Sequence, residues 1–131
     1  MHLVANMSNK QKERQENVPQ ERLLHIVVDA IDDMKGVEMT VIDVRKMTSI
    51  TDYMVIVSGT SSRHVKAIAE NVELKAKQGG YAPLGIEGMQ TAEWVLIDLG
   101  DVVVHVMMPA SREFYALEKL WAAVGDNAGN G

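Results

Sequence analysis

Residues 94–108 read Trp-Val-Leu-Ile-Asp-Leu-Gly-Asp-Val-Val-Val-His-Val-Met-Met, two apolar runs rich in β-branched residues on either side of a Gly-Asp step. Such runs favour strands, and Gly100 can take the positive φ that a two-residue hairpin turn requires, so the segment predicts an antiparallel hairpin. The same stretch carries Trp94, Asp98, Asp101 and His105. Polar and aromatic groups on strands otherwise built for burial are either satisfied inside the protein or presented to a partner, and function turns on which holds here.

Around the hairpin the periodicities predict an α/β protein. From Pro19, which suits a first helical turn, to about Lys35, the residues Leu23, Leu24, Val27, Ile31 and Met34 recur at steps of three and four, and Gly36 is the expected stop. Met39–Val44 and Tyr53–Val57 are short, nearly continuous apolar runs, as in strands covered on two faces by helices. A small-residue turn, Ser58–Ser62, leads into a helix over Arg63–Gln78 with Val65, Ile68, Ala69, Val72 and Ala76 on one stripe, ended by Gly79-Gly80. The segment with Pro83, Gly85 and Gly88 reads as a loop. After the hairpin, Pro109 ends the second strand and Ser111 is the expected cap of a last helix carrying Phe114, Leu117, Leu120, Trp121 and Val124. The order implies a mixed β-sheet flanked by helices in one domain over residues 18–124. Residues 1–17, in which Met7 could be the natural start, read as a disordered arm, and residues 125–131 as a disordered tail.

A chain of 131 residues can bury one real core but not two. Its net charge of -5 argues against a broad basic face for nucleic acid and would sooner bring it to a basic protein surface. Cysteine is absent, which removes disulfides, thiolate metal sites and cysteine nucleophiles. No apolar run approaches the roughly 18 residues of a membrane span and no secretory leader is recognisable, so the chain reads as cytoplasmic, without a membrane partner.

Catalytic motifs are scarce. The Ser58–Arg63 turn lies between strand and helix, where backbone amides can hold a phosphate. It has one glycine and neither a Gly-Lys-Thr tail nor a G-x-G-x-x-G pattern, so helix capping is the simpler reading. A metal-dependent nucleotidyl-transfer site commonly needs two carboxylates two residues apart on one strand, and none of the 18 acidic residues makes such a pair. His25, His64 and His105 have no nucleophile elbow to serve, and His105 reads first as a structural, hydrogen-bonded histidine. No catalytic residue, cofactor or metal ligand is assigned. Trp121 reads as core, whereas Trp94, at a strand start after the polar Gln90–Glu93, stands open between core and contact.

Five blocks in order carry a resemblance: Ser49-Ile-Thr-Asp-Tyr53, Ser58-Gly-Thr-Ser-Ser-Arg63, Glu87-Gly88, Trp94 to Val106, and Tyr115-Ala-Leu-Glu-Lys-Leu-Trp121. Together they closely resemble the ribosomal silencing factor, or Iojap, family across the whole predicted domain. Two positions depart from its pattern, with His64 where Gln is frequent and Met107 where Phe is common. The resemblance implies a nucleotidyltransferase-like fold without the catalytic carboxylates. It further implies a non-enzymatic factor, suggested to be a homodimer, that binds the large ribosomal subunit through ribosomal protein fourteen. By occupying that surface such a factor blocks joining of the small subunit and represses translation under nutrient limitation, with no cofactor and no direct sequence-specific contact to nucleic acid.

Strand alternation puts Trp94, Leu96 and Asp98 on one face and Val95, Ile97 and Leu99 on the other. Only the first set joins an aromatic anchor to a carboxylate able to meet Lys or Arg, and Glu87 could add a second acidic contact. Glu87, Trp94, Leu96 and Asp98 are therefore the candidate partner-binding residues, a choice the resemblance supports. The competing reading is a nucleotide-binding or nucleotidyltransferase-like enzyme at the Ser58–Arg63 turn.

Overall fold

Helix α1 (Pro19–Asp33) buries Leu23, Val27 and Ile31 of the predicted stripe together with Val28 and Ala30, while Leu24 and Met34 are half-buried. In the computed structural model, which describes residues 19–115, the helix closes when the Gly36 N–H donates to the Ile31 carbonyl at 3.0 Å and the Lys35 N–H to the Asp32 carbonyl at 2.9 Å. The left-handed residue of this closure is Lys35, at φ 57°, and not Gly36. Gly36 is required for space instead, since a Cβ there would lie 2.5 Å from an Ile31 methyl and 2.7 Å from a Val57 methyl. The expectations for the N-terminal arm, the tail and Leu117, Leu120, Trp121 and Val124 lie outside the described residues, as does the Phe114 side chain.

Strands β1 (Val37–Asp43), β2 (Tyr53–Ser58), β3 (Gly85–Glu87), β4 (Trp94–Asp98) and β5 (Val102–Met107) form one mixed sheet in the order β1-β2-β5-β4-β3. β2 and β5 run parallel, and the other neighbours are antiparallel. β2 is buried along its whole length, as a continuous apolar run predicts. β1 departs from that expectation: it is an edge strand, exposed at Val37, Glu38, Val41 and Asp43. Its pairing slips between Val37 and Thr40, where Glu38 takes φ 51°. Apolar content does not distinguish a central strand from an edge, and an irregular edge hinders pairing with foreign strands.

Helix α2 (Ser62–Gln78) begins at the N-cap Ser61 and ends in a closure where Gly80 takes φ 93° and the Tyr81 N–H donates to the Ala76 carbonyl at 2.8 Å. It packs with α1 over one sheet face, where Val55, Val57, Val95, Ile97, Val104 and Val106 meet the helical stripes in the main core. A smaller cluster of Val44, Met54, Ile56 and Met107 lies on the opposite face, with Trp94 packed against it. Helix α3 (Pro109–Tyr115) starts earlier than the expected Ser111 cap: the Arg112 N–H donates to the Met108 carbonyl at 3.1 Å, so Met108 caps and Pro109 fills the first helical position. β3 lies in the segment read as loop, because three residues are too few for alternation to show.

Candidate functional site

The hairpin forms where its Gly-Asp step predicts. The Leu99 N–H donates to the Val102 carbonyl at 3.0 Å, and positive φ falls at Gly100 (85°) but not at Asp101. Asp98 Oδ1 accepts from the Gly100 N–H at 2.9 Å, which fixes the turn from the strand side. The Asp101 carbonyl accepts from the Asp52 and Tyr53 amides at 2.9 and 3.0 Å, tying the turn to the start of β2. Nearby, Arg45 grips Asp43 through bonds of 2.9 and 2.6 Å, with its guanidinium 5.4 Å from the Tyr53 ring centre.

Alternation sorts β4 as expected. Val95, Ile97 and Leu99 enter the core, while Trp94, Leu96 and Asp98 are half-buried on the opposite face. Glu87 is exposed and pairs with Leu96 across β3 and β4, so all four candidate residues share one face. Asp98 faces Gly85 on one side and Val103 on the other. One carboxylate oxygen of Asp98 is thus committed to the turn, which a residue-type argument does not reveal.

His105 lies on the same face and is absent from the candidate residues. His105 pairs with Leu96 on β5, and its Nδ1 accepts the Trp94 Nε1–H at 2.9 Å, with ring centres 5.8 Å apart. Alternation along β5, once its register against β4 is known, is the signal that finds it. An indole N–H only donates, so Nδ1 carries the lone pair and the neutral imidazole holds its proton on Nε2. Burial, with 7% of the residue exposed, pushes the His105 pKa down from its ordinary 6.5 to about 4.

As pH falls, the unfolded chain takes up this proton first, so the stability conferred by a neutral His105 is whole above about pH 6.5 and lost between 6.5 and 4. A shift of this size corresponds to about 3 kcal/mol. Urea unfolding at pH 7 and pH 4.5 is expected to show most of that loss in the native sequence and much less in His105→Asn. Equal losses in the two proteins would assign the acid sensitivity to other groups.

At the Ser58–Arg63 turn the Gly59 and Thr60 amides are engaged within the protein, and Ser61 caps the helix. The Gly59 N–H donates to the Met107 carbonyl at 2.9 Å, the Thr60 N–H to His64 Nδ1 at 2.9 Å, and the His64 N–H to Ser61 Oγ at 3.1 Å. His64 Nε2 donates to the Met34 carbonyl at 2.7 Å, which ties the end of α1 to this turn. That is the geometry of a capped helix start. Among the described residues no group of three or more His, Asp or Glu gathers to hold a metal, and no helix is long and apolar enough to cross a membrane.

The family model described as "Ribosomal silencing factor during starvation" matches residues 15–129. A Haemophilus influenzae protein named Ribosomal silencing factor RsfS is 45% identical over 100 residues, which span 76% of this chain and 98% of that protein. The mouse protein named Mitochondrial assembly of ribosomal large subunit protein 1 is 40% identical over 89 residues, 64% of this chain and 38% of that one. A crystal structure of a Chromobacterium violaceum protein superposes with a TM-score of 0.77 at 42% identity, covering 78% of this chain and 85% of that chain. With the ordered blocks, the mixed sheet and these relatives in agreement, the chain belongs to the ribosomal silencing factor family.

Proposed function

We propose that the chain is a non-enzymatic cytoplasmic binding module that docks on the large ribosomal subunit, through ribosomal protein fourteen, with the face formed by β3, β4 and β5. By occupying that surface it keeps the small subunit from joining and lowers translation when nutrients are short. The observation that carries the reading is the face itself: Trp94 and Leu96 stand half-buried on the sheet, with the Glu87 carboxylate beside Leu96 across the strands and Asp98 farther along β4. An aromatic anchor with two acids farther along the same face suits a basic partner, and a net charge of -5 would speed the encounter. Support for the large subunit comes from the mouse relative, whose name assigns it to assembly of that subunit in mitochondria. The homodimer suggested by the family resemblance belongs to the same reading.

Steric exclusion acts through occupancy and not turnover, and a block of this kind cannot easily enter an interface already closed. Translation is therefore expected to be inhibited when the protein is added to separated subunits, and hardly at all when it is added to joined ribosomes. Equal inhibition in the two orders of addition would overturn the anti-joining mechanism.

Charge and turn geometry at Asp98 separate by substitution. Asp98→Asn keeps an oxygen for the Gly100 N–H and removes only the charge, so binding to the large subunit is expected to weaken by about threefold. Asp98→Lys sets like charges against a basic partner as well as losing the turn bond, with a loss of roughly tenfold or more that shrinks at high salt. Titrations at two salt concentrations read both effects, and wild-type affinity in Asp98→Lys would remove Asp98 from the contact.

A further inference from the structure

Trp94 stands across from Met107, and His105 is its diagonal neighbour on the same face, because His105 pairs with Leu96 two residues on. Diagonal neighbours of an antiparallel pair lie within reach of an aromatic side chain. The two partners are held differently. His105 sits mid-strand with a ladder on each side, between Ile56 of β2 and Leu96 of β4, and is almost fully buried. Trp94 is the first residue of its strand and is half-buried. The imidazole is thus the more firmly held member of the pair, and the 2.9 Å bond acts with the packing against Met54, Ile56 and Met107 to orient the indole.

We propose that His105 is a positioning residue for the ribosomal contact: the lone pair of its Nδ1 holds the Trp94 indole in one orientation, so that the anchor meets its partner already ordered. The proposal rests on the reading of Trp94 as a contact residue. An aromatic side chain that becomes fixed only on binding loses rotamer entropy at that moment, and ordering it beforehand removes that loss. Because burial keeps the imidazole neutral down to about pH 4, the acceptor is present throughout the physiological range, and the pair acts as a permanent brace.

The test measures affinity of the full chain for isolated large subunits alongside the Trp94 indole N–H resonance, which is assigned by its disappearance in Trp94→Phe. His105→Leu removes the acceptor and is expected to weaken binding by about fivefold, the effect of one hydrogen bond, and to leave an indole N–H that exchanges quickly with water. His105→Asn places Oδ1 near the position of Nδ1 and is expected to recover both properties. Trp94→Phe deletes the donor, so adding His105→Leu to it is expected to weaken binding no further.

Wild-type affinity in His105→Leu, with Trp94→Ala weakened, would overturn the positioning role and leave the contact reading standing. So would a double variant that loses the full product of the single losses. If His105→Leu does not fold, the folded His105→Asn decides: a fast-exchanging indole N–H together with wild-type affinity would overturn the proposal. Wild-type affinity in Trp94→Ala would overturn the contact reading itself and the positioning role with it.

Discussion

Replacing Trp94 with Ala is expected to weaken binding to the large subunit by about 2 kcal/mol or more, roughly thirtyfold, in a protein that still folds. Truncation of an interface Trp removes a large rigid contact and lets water reach the polar groups around it. Here it also removes the donor to His105 and the packing against the cluster of Met54, Ile56 and Met107. Because the side chain is only half-buried, the accompanying loss of stability is expected to be about 2 kcal/mol, below that of a fully buried aromatic. Affinity measured beside thermal unfolding separates the two effects. If Trp94→Ala loses cooperative unfolding, Trp94 belongs to the core and the binding face must be sought on the helices.

Gly88→Ala is expected to damage the fold more severely. Gly88 sits at φ 91°, and a Cβ there would collide with the Trp94 carbonyl oxygen and lie 3.1 Å from the carbonyl carbon. Both are backbone atoms of β4, so no change of rotamer relieves the contact. The connection is already tight, since the Ala92 N–H donates to the Gly88 carbonyl at 2.9 Å and Ala92 itself takes φ 54°. A loss of roughly 3 kcal/mol or more is expected, with binding falling as β4 is displaced. Gly80→Ala is the control: Gly80 has a similar φ of 93° but nothing within 4 Å of its added Cβ, so strain alone should cost about 1 kcal/mol. Denaturant unfolding of the two variants reads the difference, and equal losses would show that the collision is relieved by movement.

What could be read along the chain is what local chemistry decides. The alternation of β4, the apolar stripes of α1 and α2 and the Gly-Asp turn are properties of neighbouring residues, and they place Trp94, Leu96 and Asp98 on one face. Features set by tertiary register were not legible. The pairing of Leu96 with His105, and hence the bond from Trp94, depends on strand alignment across the hairpin. The exposure of β1 depends on its having only β2 beside it, and the bond from His64 to the Met34 carbonyl spans two helices. At Lys35 the local signal misled: glycine marks the helix end, but the left-handed conformation falls one residue earlier, and Gly36 serves instead to leave room for Ile31 and Val57.

The most direct measurement is sedimentation of the purified chain with separated ribosomal subunits, run for the native sequence and for Trp94→Ala. The native chain is expected to travel with the large subunit and not with the small one, and subunits mixed after its addition are expected to stay apart. Trp94→Ala is expected to be mostly unbound at the lowest concentration that saturates the native chain. Migration with the small subunit alone would contradict the proposed binding and its mechanism together.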